Sequence, residues 1–351
     1  MNRCTISPEY DNETLDRFKT ALRSHPLFAR SRLDITLSKE WGEAAELAGS
    51  RAFRYTLFEN KEPAAIFQAT LRRRLVISDL TAGSTIGNGL AAVPGLDPQI
   101  VDWFVTQALR RQGFSRCRIF LPDEFSVSGL TTRPHYTTLI DLRPPFERLL
   151  ANMEHEARKS VARAKRSGVV VQISDSDRSL EEAYKMVSET QERKLLLLPP
   201  MAYHRSLHRC FGTNDNSIVA LGYIGRDCVS ALHLLGYDQK FHIWQGGSTQ
   251  LGYKSNATSL VIVESMRWAR EQGYLIYDLG GTHPSDPVYA GIHMFKMSFG
   301  GALWTNAVWT SQKPYIGLIK PLYIQMAKLG MFLGKGIGRH QTTPPERSDS
   351  A

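Results

Sequence analysis

The chain has 351 residues, with 43 Lys and Arg against 34 Asp and Glu, a formal charge of +9. Hydrophobic residues make up 42% and charged residues 22%, a globular composition that excludes wholesale disorder, and the length suits two domains or a fused pair. Four scattered cysteines (Cys4, Cys117, Cys210, Cys228) form no CxxC pair, which argues against a disulfide scaffold or a structural zinc site and for a reducing, cytoplasmic setting. Met1 to Leu15 lacks the apolar run of a secretory signal, and no window of about 20 apolar residues predicts a spanning helix.

In chain order, the first clear element is an alternating stretch from Arg54 to Phe67 with a turn at Glu59–Glu62, a hairpin pattern. An amphipathic helix follows and ends Gln112-Gly113-Phe114, where glycine is a C-cap signal, and then comes a strand over Arg116–Leu121. Arg143-Pro-Pro breaks the pattern and sets a boundary near Asp141–Pro145. Beyond it, Leu150, Met153, Ala157, Val161 and Ala164 share one narrow arc of a predicted helix, opposite Arg158, Lys159, Arg163, Lys165 and Arg166. Gly168 ends that helix, Val169–Ile173 reads as a strand, and a longer helix spans about Leu180 to Leu195. The first pattern then recurs. A hairpin over Ser217–Leu232 turns at Gly225–Asp227, a helix ends Gln272-Gly273-Tyr274, and a strand follows over Leu275–Leu279. This is the signature of a duplicated hairpin, helix and strand unit, and it places both halves in the α/β or α+β class. The domains expected are 1–143, 144–312 and a basic amphipathic tail, 313–351, with a disordered end.

The charge is local. Residues 151–166 carry five basic against two acidic side chains, and residues 313–351 six against two. That pattern argues for two anion-contact sites and against a nucleic-acid coat. The stretch Tyr315–Leu333 is apolar with Lys320 and Lys328, and it reads either as a helix lying on an anionic membrane or as one packed on the body.

The densest motif is Tyr277-Asp278-Leu-Gly280-Gly281 followed, after a loop with two prolines, by Phe295-Lys296-Met-Ser-Phe-Gly-Gly301. Paired glycines at a strand end admit a ligand or a second backbone. Lys296 is a candidate fixed cation for a carbonyl or phosphate oxygen, and Asp278 a candidate general base. Lys254 and the start of the helix near Ala257–Ser259 offer charge and free N–H groups to an anion. Trp244 and Tyr253 are candidate groove aromatics. His204 and His208 have i,i+4 spacing but no third ligand, so no metal site is expected.

From this segment the chain resembles the FemAB-like aminoacyltransferases of peptidoglycan bridge synthesis, a branch of the GNAT acyltransferase superfamily. The resemblance rests on Tyr277–Gly281, on Gly291–Gly301, and on the basic helix from Arg158 to Gly168. It also includes Thr190-Gln-Glu-Arg193 with the downstream Tyr203, and Trp244-Gln245-Gly-Gly-Ser248. It covers about residues 135 to 310 and implies two tandem GNAT-like units, each a mixed sheet flanked by helices. It further implies acyl or aminoacyl transfer to an amine, with aminoacyl-tRNA or acyl-CoA as donor and a phosphate-bearing envelope precursor as acceptor. By the same resemblance Phe295 and Lys296 are the catalytic pair and Arg193 grips a phosphate. Tyr203, Trp244, Gln245, Gly280 and Gly281 then line the substrate, and the basic helix holds a polyanion through Arg158, Lys159 and Arg163. Two features depart from the family. Only about 45 residues separate Gly168 from the Ser217 hairpin, too few for the long tRNA-contacting arm, and Gln250–Ala257 lacks the glycine spacing of a CoA pyrophosphate loop. Two alternatives stand beside the peptidoglycan-type reaction: an acyl-CoA-dependent N-acyltransferase of envelope polysaccharide or lipid, and a non-catalytic anion- or membrane-binding module on the same fold.

Overall fold

The computed structural model describes residues 4–8, 10–73, 77–193, 198–212, 216–287 and 289–316. Met1–Ser311 is one compact unit and the chain from Gln312 is a second. The expected apolar tail, 315–333, lies outside the described residues from 317 onward, as does the end expected to be disordered.

The first half comprises β1 (Cys4–Pro8), α1 (Asn12–Leu22), α2 (Lys39–Leu47), β2 (Arg51–Glu59), β3 (Glu62–Arg73), β4 (Ser78–Ser84), β5 (Gly87–Asn88), β6 (Leu90–Ala92), α3 (Pro98–Arg110) and β7 (Arg116–Pro122). There follow β8 (Thr131–Asp141), α4 (Phe146–Asn152), α5 (His155–Arg166), β9 (Val169–Ser174), α6 (Asp177–Arg193), α7 (Met201–Phe211), β10 (Ser217–Ile224), β11 (Asp227–Tyr237) and β12 (Lys240–Ser248). The last elements are α8 (Gln250–Ser255), α9 (Ala257–Glu271), β13 (Ile276–Thr282), α10 (Ala290–Met297) and β14 (Ala302–Gln312).

Both hairpins form where the alternation places them. Asn60 and Lys61 turn the first in left-handed backbone, the conformation a two-residue I′ turn requires. Each long helix lies between the parallel strands of its half, α3 between β4 and β7 and α9 between β12 and β13: α3 buries Val101, Phe104 and Val105 on one face, and α9 buries Leu260, Val261 and Met266.

The strands join in one sheet, ordered β1-β2-β3-β4-β7-β14-β8-β13-β12-β11-β10-β9. The order reads as a palindrome of two GNAT-like units. β2, β3, β4, α3 and β7 of one correspond to β10, β11, β12, α9 and β13 of the other, and β4–β7 and β12–β13 are the parallel pairs. At the centre the units exchange strands. β8 follows the first unit in sequence but pairs with β13, while β14 ends the second unit and sits beside β7. The fold is thus α/β with two tandem units, as the repeat and the resemblance imply.

One expected helix is divided. The basic helix after the Arg143-Pro-Pro break is two helices, α4 and α5, because Met153 and Glu154 are extended. Met153 is buried at the elbow and Glu154 N–H donates to Ser298 O at 2.8 Å. Tertiary docking overrides the helical pattern here, because the turn after α10 fills the elbow. Gly300, at φ +80°, lies so close that a Cβ would stand 2.7 Å from Asn152 O. This packing accounts for the Phe-Gly-Gly end of the motif.

Candidate functional site

β12 and β13 pair in parallel only from Lys240–His242 against Ile276–Asp278. Beyond that they splay. β12 bulges at Trp244 against β11, and β13 shifts register on β8 between Asp278 and Gly281. Gly280 absorbs the shift at φ +78°. A Cβ there would lie 3.2 Å from Ile243 O and 3.6 Å from Lys296 Nζ. Gly280→Ala is therefore expected to cost about 1–2 kcal/mol, the penalty of a left-handed non-glycine residue. Gly291→Ala, whose Cβ meets nothing within 4 Å and which lies within α10, is the matched control and is expected to leave stability unchanged or raise it by up to about 1 kcal/mol. Urea unfolding of the pair tests this, and equal midpoints would refute it.

Lys296 stands in the last turn of α10, an element the sequence pattern did not reveal because the helix is short and has no polar side-chain cap. Its ammonium donates to Gly281 O at 2.6 Å, behind the glycine pair. Burial pushes its pKa down to about 8, partly offset by Asp278. His293 Nδ1, 3.2 Å from Thr282 Oγ1, ties α10 to β13. Phe295 faces outward, 38% exposed, with its ring edge-on to buried Phe299 at 5.1 Å.

The other proposed contacts are dispersed. Arg193, at the end of α6, donates to Ser248 O and, at 3.1 Å, to Thr190 Oγ1. Thr190 Oγ1 also accepts from Ser248 N. Together these groups lock α6 onto the end of β12, and Gly247 makes the approach possible, since a Cβ there would stand 2.6 Å from Met186 O. Trp244 is wedged between Tyr203, at 5.7 Å, and His204, at 4.4 Å. Burial raises the Tyr203 phenol well above its ordinary range. Below these rings lie His204, His208 and His233, bridged in part by Ser217, and burial pushes His204 down to about 4. Gln245 pairs with His233 across β11. Arg158 donates to Ala151 O at 2.9 Å and to Met153 O, holding the α4–α5 elbow. Lys159 pairs with Glu156 at 3.0 Å, while Arg163 and Lys254 face solvent. At the place of the pyrophosphate loop the chain forms α8, and Asn256 enters α9 in left-handed backbone without a side-chain cap.

Sequence reasoning missed a polar group on the opposite face of the sheet from α9. Lys240 and His242 alternate with Phe241 on β12 and turn toward the first half. Lys240 Nζ lies 2.6 Å from Asp34 Oδ1, and Asp34 Oδ2 accepts from the Asn88 backbone and side-chain N–H groups, both at 3.0 Å. Asp278, 2% exposed, accepts from Thr137 Oγ1, from Gly280 N at 2.8 Å and from His242 Nδ1 at 3.0 Å. Since a carboxylate only accepts, Nδ1 of His242 carries a proton, and in the neutral ring Nε2 is then the acceptor. These residues floor an open cleft between the halves that is also lined by Arg30, Arg32 and Trp304. The only hint in the sequence was Lys240 and His242 at strand period around Phe241.

Comparison with known proteins agrees with this fold. Residues 151–290 match the family model for an acetyltransferase (GNAT) domain. The crystal structure of FemX aligns with a TM-score of 0.66 at 14% identity, over 89% of this chain and 99% of that one. A tandem GNAT protein from the clavulanic acid biosynthesis pathway aligns at TM-score 0.52 and 9% identity, over 88% and 98%. The C-terminal domain of a putative lysylphosphatidylglycerol synthetase from Agrobacterium fabrum aligns at 0.50 and 14%, over 87% and 94%. No curated protein sequence matches the chain significantly. Residues 151–290 are thus similar to a GNAT acetyltransferase domain, and the chain as a whole shares its fold with FemX. Among the described residues no helix is long and apolar enough to cross a membrane.

Proposed function

We propose that the protein transfers an aminoacyl or acyl group to an amine of a phosphate-bearing cell-envelope precursor of the peptidoglycan type. The observation that carries the reading is the Lys296 ammonium, sheltered behind Gly280 and Gly281 where β12 and β13 splay. A cation fixed there is placed to stabilise charge that develops on a carbonyl oxygen, and it needs no reorganisation as the reaction proceeds. The amine attacks the acyl carbonyl directly, and the ester or thioester oxygen or sulfur departs. Arg193, already committed to Ser248 O, keeps its remaining N–H groups for an acceptor phosphate. The exposed basic face of α5 supplies long-range attraction for a polyanion. Similarity to the fold of FemX supports the aminoacyl form. The uncapped start of α9, beside the splay, favours the second reading, a CoA thioester donor. Placement at the cytoplasmic face of the membrane, with contact through 315–333, belongs to the same proposal.

The test is incubation of the purified protein with a nucleotide-linked muramyl pentapeptide and either a total charged-tRNA mixture or acetyl-CoA, followed by intact mass. Addition of one acyl mass to the pentapeptide supports the function, and the donor that supplies it identifies the substrate. No added mass with either donor rejects it.

A further inference from the structure

Among the described residues, eight buried side-chain nitrogen or oxygen atoms have no hydrogen-bond partner. Four of them, Arg30 Nε, Arg32 Nε, Asn88 Oδ1 and His242 Nε2, belong to residues that line the central cleft. Buried polar atoms are normally satisfied, and leaving one open costs about 1–3 kcal/mol. Four on residues that line one opening point to a binding partner. They are of two kinds. Asn88 Oδ1 and the lone pair of His242 Nε2 accept hydrogen bonds, at the floor. The Nε–H groups of Arg30 and Arg32 donate.

The charges nearby divide in the same way. Asp34 and Asp278 stand at the floor, held by Lys240 and His242. Arg30 is neutralised by Asp123 and Glu124 and lies over the Trp304 ring at 5.4 Å. Arg32 forms no ion pair among the described residues, and its guanidinium stacks near Phe28 at 5.8 Å. The cavity volume is about 50 Å³, enough for a few waters or a small end group.

We propose that this cleft takes a zwitterionic end group, a primary amine with a carboxylate or phosphate two or three bonds away. The amine N–H groups fill Asn88 Oδ1 and His242 Nε2, and the anion takes the Nε–H groups of Arg32 and Arg30. Resting on the acyl-transfer reading above, this end group is the reactive end of the acceptor, and His242 is its proton acceptor. The bound ammonium first gives one proton to water at the cleft mouth; the free amine nitrogen then forms the C–N bond, its second proton passes to His242 Nε2, the bond to the leaving oxygen or sulfur breaks, and that second proton goes to the leaving group. Asp278, which links His242 on one side to Gly280 on the other, holds the imidazole in the accepting tautomer. The charged and titratable groups that face the imidazole are Asp278, Asp34 and Lys240.

An amino-acid end of a peptide and an ethanolamine phosphate headgroup share this chemistry, so glycine and O-phosphoethanolamine serve as separate probes, with acetate and ethylamine as half-ligand controls. At about ten times the dissociation constant, the fitting probe is expected to raise the melting temperature of the full chain by about 2–3 °C. Arg32→Gln and His242→Asn should each abolish the rise. In protein labelled with 15N in its imidazoles, the signal that His242→Asn removes should shift when the probe is added. Stabilisation by glycine alone assigns the amino-acid end, and by O-phosphoethanolamine alone the phosphate end. No shift with either probe, equal shifts with a half-ligand, or shifts that persist in both variants overturn the site. The assay needs no turnover. Probe binding without acyl transfer removes the catalytic reading and leaves the site. Transfer that proceeds unchanged in His242→Asn removes the role of His242 and leaves the transferase.

Discussion

Replacing Lys296 by methionine is expected to lower turnover by about 10²–10³-fold, the cost of removing one preorganised oxyanion donor, while making the protein more stable at neutral pH. Both effects follow from one fact: the ammonium is sheltered, and burial depresses its pKa to about 8. The sign follows from comparing the folded and unfolded chains. An unfolded lysine titrates near 10.4. Between about pH 8 and that value the unfolded chain holds a proton that the folded protein has released, so stability rises with pH across the window. Below it the folded protein carries a charge that burial disfavours, at an order-of-magnitude cost of about 3 kcal/mol. Catalysis runs the other way, since only the ammonium stabilises an oxyanion, so activity falls as pH rises through about 8. Urea unfolding and initial rates from pH 6.5 to 9.5 check both. A Lys296→Met variant that turns over normally, or that is less stable at pH 7, contradicts the assignment.

Asp34→Ala is expected to be the most destabilising single change in the cleft. It strips the partner from Lys240, whose side chain is only 8% exposed, and frees two Asn88 N–H groups. Removing one member of a buried pair costs about 3–5 kcal/mol, which in a domain of this size lowers the melting temperature by about 10 °C. The double change Asp34→Leu with Lys240→Met should recover part of the loss, since neither member of the pair is then left as an unpaired buried charge while the two Asn88 N–H groups stay unpaired. Acid sensitivity gives an independent check. Burial alone would raise the Asp34 carboxyl, but Lys240 and the Asn88 N–H more than offset it, so it lies below its ordinary value. Its contribution is present above the unfolded carboxylate range, about pH 4, and is lost as pH falls through the folded value. Asp34→Ala should therefore lose less stability than the parent on acidification. A single variant within about 1 kcal/mol of the parent would show that Lys240 finds another partner.

The elements governed by local rules were legible in the sequence. The two hairpins, the glycines after α3 and α9, and the strands that follow all come from alternation, helical period and capping, which act within a few residues. The motif around Lys296 was legible as a unit, but part of its pattern serves packing. Gly247 admits α6, and Gly300 fills the α4–α5 elbow. What escaped was set by distant partners. Nothing near Met153 signals that a turn from residues 298–301 will break the helix there. Nothing in β8 or β14 names its neighbour, because alternation identifies a strand and not what it pairs with. Lys240 and His242 look like a solvent-facing row, and only the fold brings Asp34, Asn88 and Asp278 against them.

The exchange of β8 and β14 has a consequence for how the chain is made. The first unit leaves the ribosome without the strand that flanks β7, and that strand is synthesised only after the rest of the second unit. Until then β7 presents an open edge, the kind of surface on which nascent chains aggregate or recruit chaperones. Neither half is therefore a self-sufficient module. Expressed apart, each would lack its central strand, and co-expressed they should recover by trading strands. The two units complete one shared sheet through the strands they exchange.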